Sequence, residues 1–215
     1  MRLWHRVIHP ISSFFRQRRG RVLLERFPEI RNFKICDLGG SRHFWEKLGL
    51  DIPASNITIF NISDDETATI HEATSDKIEI VIYDGKRIPV EDRKFDLCIC
   101  NSVIEHVSPQ DRNQLVSEMR RVARRVFCQT PAYEFPIEPH FLMPFIHWLP
   151  RRIGFSLAKI SIWRMLSKPS SDTINRYWWG TNLLRRSEIC KFFPDEEILE
   201  ERILGFCKSY YVVRV

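Results

Sequence analysis

What this 215-residue chain lacks narrows it first. Its six cysteines (Cys36, Cys98, Cys100, Cys128, Cys190 and Cys207) make no Cys-x-x-Cys pair and no Cys/His metal spacing. Neither a disulfide framework nor a metal site is therefore expected. Several lie within apolar runs, where a reduced thiol serves as a small apolar residue. No apolar run is long enough for a transmembrane helix. The opening MRLWHRVIHPISSFFRQRRG is basic, but His5, Arg6, His9 and Pro10 break its apolar stretches, and no small-residue cleavage site follows. A signal peptide is not expected, and the setting read from these absences is cytoplasmic. Glycine is also scarce, at 8 residues, and none of them builds the G-x-G-x-x-G turn that a nicotinamide dinucleotide asks for after its first strand.

Lysine and arginine number 33 against 27 acids, for a net charge of +6, and the excess is uneven. Residues 1–34 carry nine cations against Glu25 and Glu29, while 151–168 carry Arg151, Arg152, Lys159, Arg164 and Lys168 with no acid. These are local patches rather than a uniformly basic surface. No RNA-binding module and no Asn/Asp-Pro-Pro-aromatic signature of base methylation is present, so no nucleic-acid partner is expected.

Short runs rich in Ile, Val, Phe and Cys recur with room for helices between them: 34–38, 56–62, 77–85, 95–103 and 124–131. Their weak polar alternation is that of strands covered on both faces. The clearest helix is 109–125, with Ser108 as its cap, Pro109 at its first position, and Arg120, Arg121, Arg124 and Arg125 at its C-terminal end. Between the second and third strands only a brief helix fits. Alternating strands and helices imply a parallel α/β sheet. From 132 the chain turns proline- and aromatic-rich, then basic and amphipathic over 151–168, which reads as an interfacial helix or, almost as well, a core-covering one. A helix near 184–193 and two closing strands with LGF between them complete the pattern. We expect a basic helical extension over 1–30 and a domain over 31–215 with an insertion at about 132–183.

In open parallel sheets, ligands bind beyond the carboxyl ends of the strands. The first strand ends in Asp37–Gly39–Gly40–Ser41, which reads either as a cofactor loop or as a plain turn. The third ends in Asp84–Gly85, itself a common turn pair. The fourth ends in Asn101–Ser102, followed by Glu105–His106, which could hold a general base or be a surface pair.

Together, ICDLGGS, ITIFNIS and YDGKRIPVEDRKFDLCICNSVIEHV resemble the class I S-adenosylmethionine-dependent methyltransferases, of the small-molecule branch called type 11. The resemblance spans roughly 33–132. It implies a Rossmann-like methyltransferase fold with a mostly parallel seven-stranded sheet flanked by helices, and S-adenosyl-L-methionine as cofactor. It also gives Asp37, Gly39, Gly40 and Ser41 to the methionine end and Asn61 to the ribose. Asp84 and Gly85 fall to the adenine, and Asn101 with Ser102 to the floor near the methyl group. Ser41 and His43 stand where the family has small residues, usually glycine at the first. Asn61 replaces the usual acid, with Asp64 nearby to compensate.

The loop CQTPAYEFPIEPHF resembles the family's substrate loop, which makes His140 the first candidate base, Glu138 its neighbour and His106 the second. Each histidine could equally pack or face water, and His147 among FIHWLP is read as packing. The function expected is methyl transfer to a small-molecule or glycan/glycolipid-type acceptor, at oxygen, with peripheral contact to the inner face of a membrane. Two rivals stay open: a non-catalytic binding or scaffold protein at a membrane surface, and a nicotinamide-dependent oxidoreductase.

Overall fold

The computed structural model describes residues 2–63 and 78–215, with side chains from residue 13 onward. Helix α1 (Arg2–Arg26) leads into strand β1 (Ile35–Leu38), and the short helix α2 (Arg42–Leu48) follows the glycine turn. Strands β2 (Ile57–Asn61), β3 (Glu79–Ile82) and β4 (Phe95–Asn101) come next, then helix α3 (Arg112–Val122) and strand β5 (Ala123–Pro131). The brief helix expected between the second and third strands, and Asp64, lie outside the described residues.

A seven-stranded sheet runs β3-β2-β1-β4-β5 and then two C-terminal strands, β9 (Phe206–Arg214) and β8 (Glu197–Ile203). The first five are parallel neighbours, and β9 pairs antiparallel with both β5 and β8. After β3 the chain crosses to the far side of β1, so β1 and β4 form the switch point where such sheets open a ligand crevice. The inner strands are apolar on both faces because both faces are covered. Val116, Met119 and Val122 of α3 pack on Cys98, Cys100 and Val126, and on the other face Leu23 and Phe27 of α1 pack with Trp45 and Leu48 of α2. All six cysteines are free thiols.

Between β5 and β8 lies a layer of small elements. A two-residue ladder joins β6 (Ile137–Glu138) to β7 (Met143–Pro144), and helices α4 (Arg151–Ala158), α5 (Ile162–Ser167), α6 (Ser171–Gly180) and α7 (Arg186–Phe192) follow. Phe141, Ile146, Ala158, Ile174 and Trp178 give this layer a small core of its own.

Two expected boundaries move. Helix α3 begins after Asp111, and the Ser108 hydroxyl donates to the Asp111 carboxylate at 2.8 Å instead of capping the helix. It also ends at Val122, so Arg124 and Arg125 belong to β5, where Arg125 lies over the Phe33 ring at 4.6 Å. The segment 151–168 is two helices rather than one. Its chain breaks at Lys159–Ser161, and Ser161 caps α5 by accepting from the Arg164 N–H at 3.3 Å.

Candidate active site

The carboxyl ends of β2, β1 and β4 lie side by side. Their register sets Asp37 opposite Ile59 and Ile99, so Asn61 and Asn101 end the strands on either side of the glycine turn. Gly39 takes φ +65°, and a Cβ there would press within 2.6 Å of the Val103 side chain in the loop after β4. A Cβ on Gly40 would collide with the Asp37 carboxylate. Backbone and carboxylate thus approach as only glycine allows.

Asp37 is fully buried. Its Oδ2 accepts from the Trp45 indole at 2.7 Å, while Oδ1 has no donor. Burial raises its pKa to about 7, with the indole bond pulling the other way. Asn61 donates through Nδ2 to the Gly40 carbonyl at 3.3 Å, and its Oδ1 is buried without a partner. Asn101 Oδ1 is likewise buried and unpartnered. Three orphaned acceptors at three adjacent strand ends are costly unless a donor-bearing ligand meets them.

The other expected cofactor residues differ among themselves. Ser41 caps α2, its hydroxyl accepting from the Phe44 N–H at 3.3 Å. Ser102, at φ +55°, donates to Gln129 Oε1 at 2.8 Å and makes the sharp exit from β4. Asp84 is exposed, and its Oδ1 accepts from the N–H groups of Lys86 and Arg87, which hold its pKa below the usual carboxylate value. Gly85 at φ +75° would bring a Cβ within 3.1 Å of Ile62, an exposed apolar side chain beside the turn that the motif reading passed over.

A second group of residues gathers above β4 and β5. Glu105, in the turn after β4, is wholly buried; its Oε2 accepts from the Thr130 hydroxyl at 2.9 Å and its Oε1 has no partner. Burial raises its pKa, against smaller opposing effects of His140, Thr130 and Arg112. His106 meets His140 edge to face, with ring centroids 5.0 Å apart, although the two come from different loops. The outer side of His106 reaches solvent while its inner side packs on His140 and Tyr177, and desolvation lowers its pKa to about 4. Glu138 uses both oxygens locally: Oε1 bonds His140 Nδ1 at 2.7 Å and Oε2 accepts from the Phe141 N–H at 2.7 Å. Desolvation works to lower the His140 pKa, but Glu138 and then Glu105 outweigh it and leave it raised. His147 packs against Tyr133, with its Nε2 at 3.0 Å from the Tyr133 carbonyl. Beside this group opens a cavity of about 310 Å³ bounded by Tyr133, Glu138, Phe141, Tyr177, Trp178 and Thr181 among others.

The sequence pointed to His106, Glu138 and His140 but gave no sign that Tyr177 and Thr181, far beyond the motifs, would join them. In the sequence Glu105 stands out only as the neighbour of His106.

A doubly wound sheet with a glycine turn and three unsatisfied acceptors at its switch point makes a Rossmann-like crevice of the kind that takes a nucleotide-type ligand. Residues 37–126 match the family described as "Methyltransferase domain". Among solved structures, the chain resembles the PH0226 protein of Pyrococcus horikoshii (18% identity, 94% of this chain and 88% of that one, TM-score 0.55). It also resembles a SAM-dependent methyltransferase of Archaeoglobus fulgidus (12%, 92% and 93%, TM-score 0.54). A third likeness is to a Burkholderia thailandensis 1,6-didemethyltoxoflavin-N1-methyltransferase with bound 1,6-didemethyltoxoflavin and S-adenosylhomocysteine (10%, 92% and 76%, TM-score 0.53). At these identities the structures share the fold. No curated protein matches the chain significantly in sequence. Residues 37–126 form a class I S-adenosylmethionine-dependent methyltransferase domain, and S-adenosylmethionine is its cofactor.

The residues present fit that cofactor. Its ammonium group and ribose hydroxyls are donors, and Asp37, Asn61 and Asn101 each hold a buried oxygen in want of one. When bound, the cofactor supplies an electrophilic methyl on a sulfonium sulfur, so the protein's part is to align the acceptor and exclude water.

Proposed function

We propose that this methyltransferase acts on a hydroxyl oxygen of a small acceptor, free or of the glycan or glycolipid class. The acceptor lies in the cavity beside His106 and His140. The observation that carries this reading is the meeting of His140 with both His106 and Glu138, with Glu138 itself lining that cavity. Glu138 fixes the imidazole of His140 through Nδ1 and leaves Nε2 for the acceptor. As the oxygen takes the methyl, its proton passes to His140 Nε2. Tyr177 and Trp178 offer the flat apolar walls on which sugar or aromatic rings rest.

Calorimetry with S-adenosylmethionine, S-adenosylhomocysteine and NAD tests the cofactor side: the first two should bind and NAD should not. Silence from all three would favour the scaffold rival, and NAD binding the oxidoreductase. Transfer of labelled methyl to panels of hydroxyl and ring-nitrogen acceptors then tests the atom. His140→Gln should lower kcat by at least a hundredfold with S-adenosylhomocysteine affinity kept; transfer to nitrogen alone would overturn the oxygen assignment.

The same protein is proposed to work in the cytoplasm against an anionic membrane face. Among the described residues no helix is long and apolar enough to cross a bilayer. Phe145, Trp148, Ile153, Ile160, Ile162 and Met165 are instead exposed together with Arg151, Arg152 and Lys159, in a stretch from 139 to 171 that contains no acid. Apolar side chains that insert and cations that meet lipid phosphate are the pairing of an interfacial surface.

A further inference from the structure

We propose that Glu105, His106 and His140 form a binding site for a divalent transition-metal ion of the zinc class. One ligand atom from each residue lies within 4.8 Å of those of the other two. Two imidazoles and a carboxylate are the donor set of catalytic zinc sites, which keep a further position open.

Each of the three is held by one atom and free at another. Glu105 is anchored through Oε2 by Thr130, and its Oε1 is buried without any partner. His140 is anchored through Nδ1 by the Glu138 carboxylate at 2.7 Å, and His106 stands 3.3 Å from the Thr181 hydroxyl through its own Nδ1. Carboxylate or hydroxyl acceptors on the far nitrogen are how proteins orient metal-binding histidines. Glu138 is itself locked by the Phe141 N–H, so the support extends one residue further. A buried carboxylate oxygen with no donor is otherwise expensive, and a cation would satisfy it.

Ligation asks for a modest closing movement. Donors about 2.0–2.1 Å from a tetrahedral zinc stand roughly 3.3 Å apart, against the present bound of 4.8 Å. His106 sits on a single turn after β4 with its outer side in solvent, so the movement falls to this residue. Solvent at that side and the adjoining cavity leave the remaining position for an acceptor oxygen.

The catalytic part of this inference rests on the acceptor reading above; the binding part does not. A hydroxyl bound to such an ion is acidified. In the metal-loaded protein the ion would therefore take over proton removal, His140 serving as ligand and the proton leaving through the cavity to water. The three ligands escaped the sequence because two are adjacent and the third sits in another loop, a spacing shared with no common zinc motif.

The test uses the whole chain, stripped with chelator and titrated with Co²⁺ by visible absorption and with Zn²⁺ by calorimetry. One ion per chain should bind, with cobalt bands stronger than those of the aqueous ion. Glu105→Gln, His106→Gln and His140→Gln should each weaken binding at least tenfold, while His147→Gln retains it. S-adenosylhomocysteine affinity, measured on every variant, shows which are folded, and His140→Gln decides if the buried Glu105 variant is not. Absence of stoichiometric binding, or unchanged binding in folded His140→Gln, overturns the site. Metal binding without methyl transfer would instead fault the acceptor reading and leave the ion in place.

Discussion

Asp37 stands in a demanding position: fully buried, one oxygen on the Trp45 indole and the other unsatisfied. Its pKa of about 7 has two opposite consequences. In the free protein the folded state keeps a proton that the unfolded chain has lost, from about pH 4 to about pH 7, so this group makes stability fall as pH rises through that window. A bound ammonium favours the carboxylate, so cofactor affinity should rise with pH up to about 7 and then level. Asp37→Asn removes the titration. At pH 8 it should melt higher, with a difference of up to roughly 4 kcal/mol that disappears near pH 4. Its affinity for S-adenosylhomocysteine should fall at least tenfold and lose the pH dependence. Thermal melts and calorimetry in buffers of differing ionisation enthalpy check both halves. A variant with wild-type affinity at pH 8 would remove Asp37 from the cofactor site.

At the scale of elements, α1 and α2 together hold that residue in place. Leu23 and Phe27 are fully buried beside Trp45 and Leu48, and a Cβ on Gly20 would press within 2.6 Å of the Leu48 carbonyl. Leu23→Ala should cost about 2–5 kcal/mol in a urea melt. The layer between β5 and β8 has an equivalent joint at Gly154, where a Cβ would come within 2.5 Å of both the Ile146 carbonyl and the Trp178 ring. Gly154→Ala should therefore destabilise by about 1–3 kcal/mol despite adding a good helix former, and should lower acceptor-side activity more than cofactor binding, as paired melts and steady-state kinetics would show.

These joints also mark where the sequence could and could not be read. The parallel strands were legible because burial on both faces leaves apolar runs, and the glycine turn because few residues other than glycine suit its geometry. The start of β5 was not, since Arg124 and Arg125 continue the spacing of α3 while Arg125 in fact rests on Phe33, distant in sequence. The break at Ser161 had a local signal, a serine able to cap α5, but an unbroken amphipathic pattern overrode it. Asp37, Asn61 and Asn101 follow from strand ends and could be listed in advance. The meeting of His106 with His140, Tyr177 and Thr181 depends on how the segment between β5 and β8 folds back, which no local pattern encodes.

For the whole molecule, the layer of small elements between β5 and β8 is the common term. It supplies Glu138, Tyr177 and Thr181 to the cavity and His140 as the partner of Glu138, and it also carries the exposed Ile153, Ile160, Ile162 and Met165 among cations. A surface that docks on lipid through these side chains would place the acceptor cavity in the same layer that meets the membrane, as a lipid-linked acceptor requires. Replacing Ile153 and Met165 by Asp sets charge where apolar insertion is proposed, at positions exposed enough to leave the fold intact. Binding to vesicles with anionic lipid should fall at least tenfold, and S-adenosylhomocysteine affinity should not change. Wild-type binding should itself weaken between low and physiological salt, because the Debye length contracts to about 8 Å and screens the cations. A glycolipid acceptor would lose turnover in the double variant on vesicles but not in detergent solution, since only delivery is impaired. Equal vesicle binding by wild type and variant, or equal binding to neutral and anionic vesicles, would leave the cavity with a soluble acceptor and the basic surface without a membrane role.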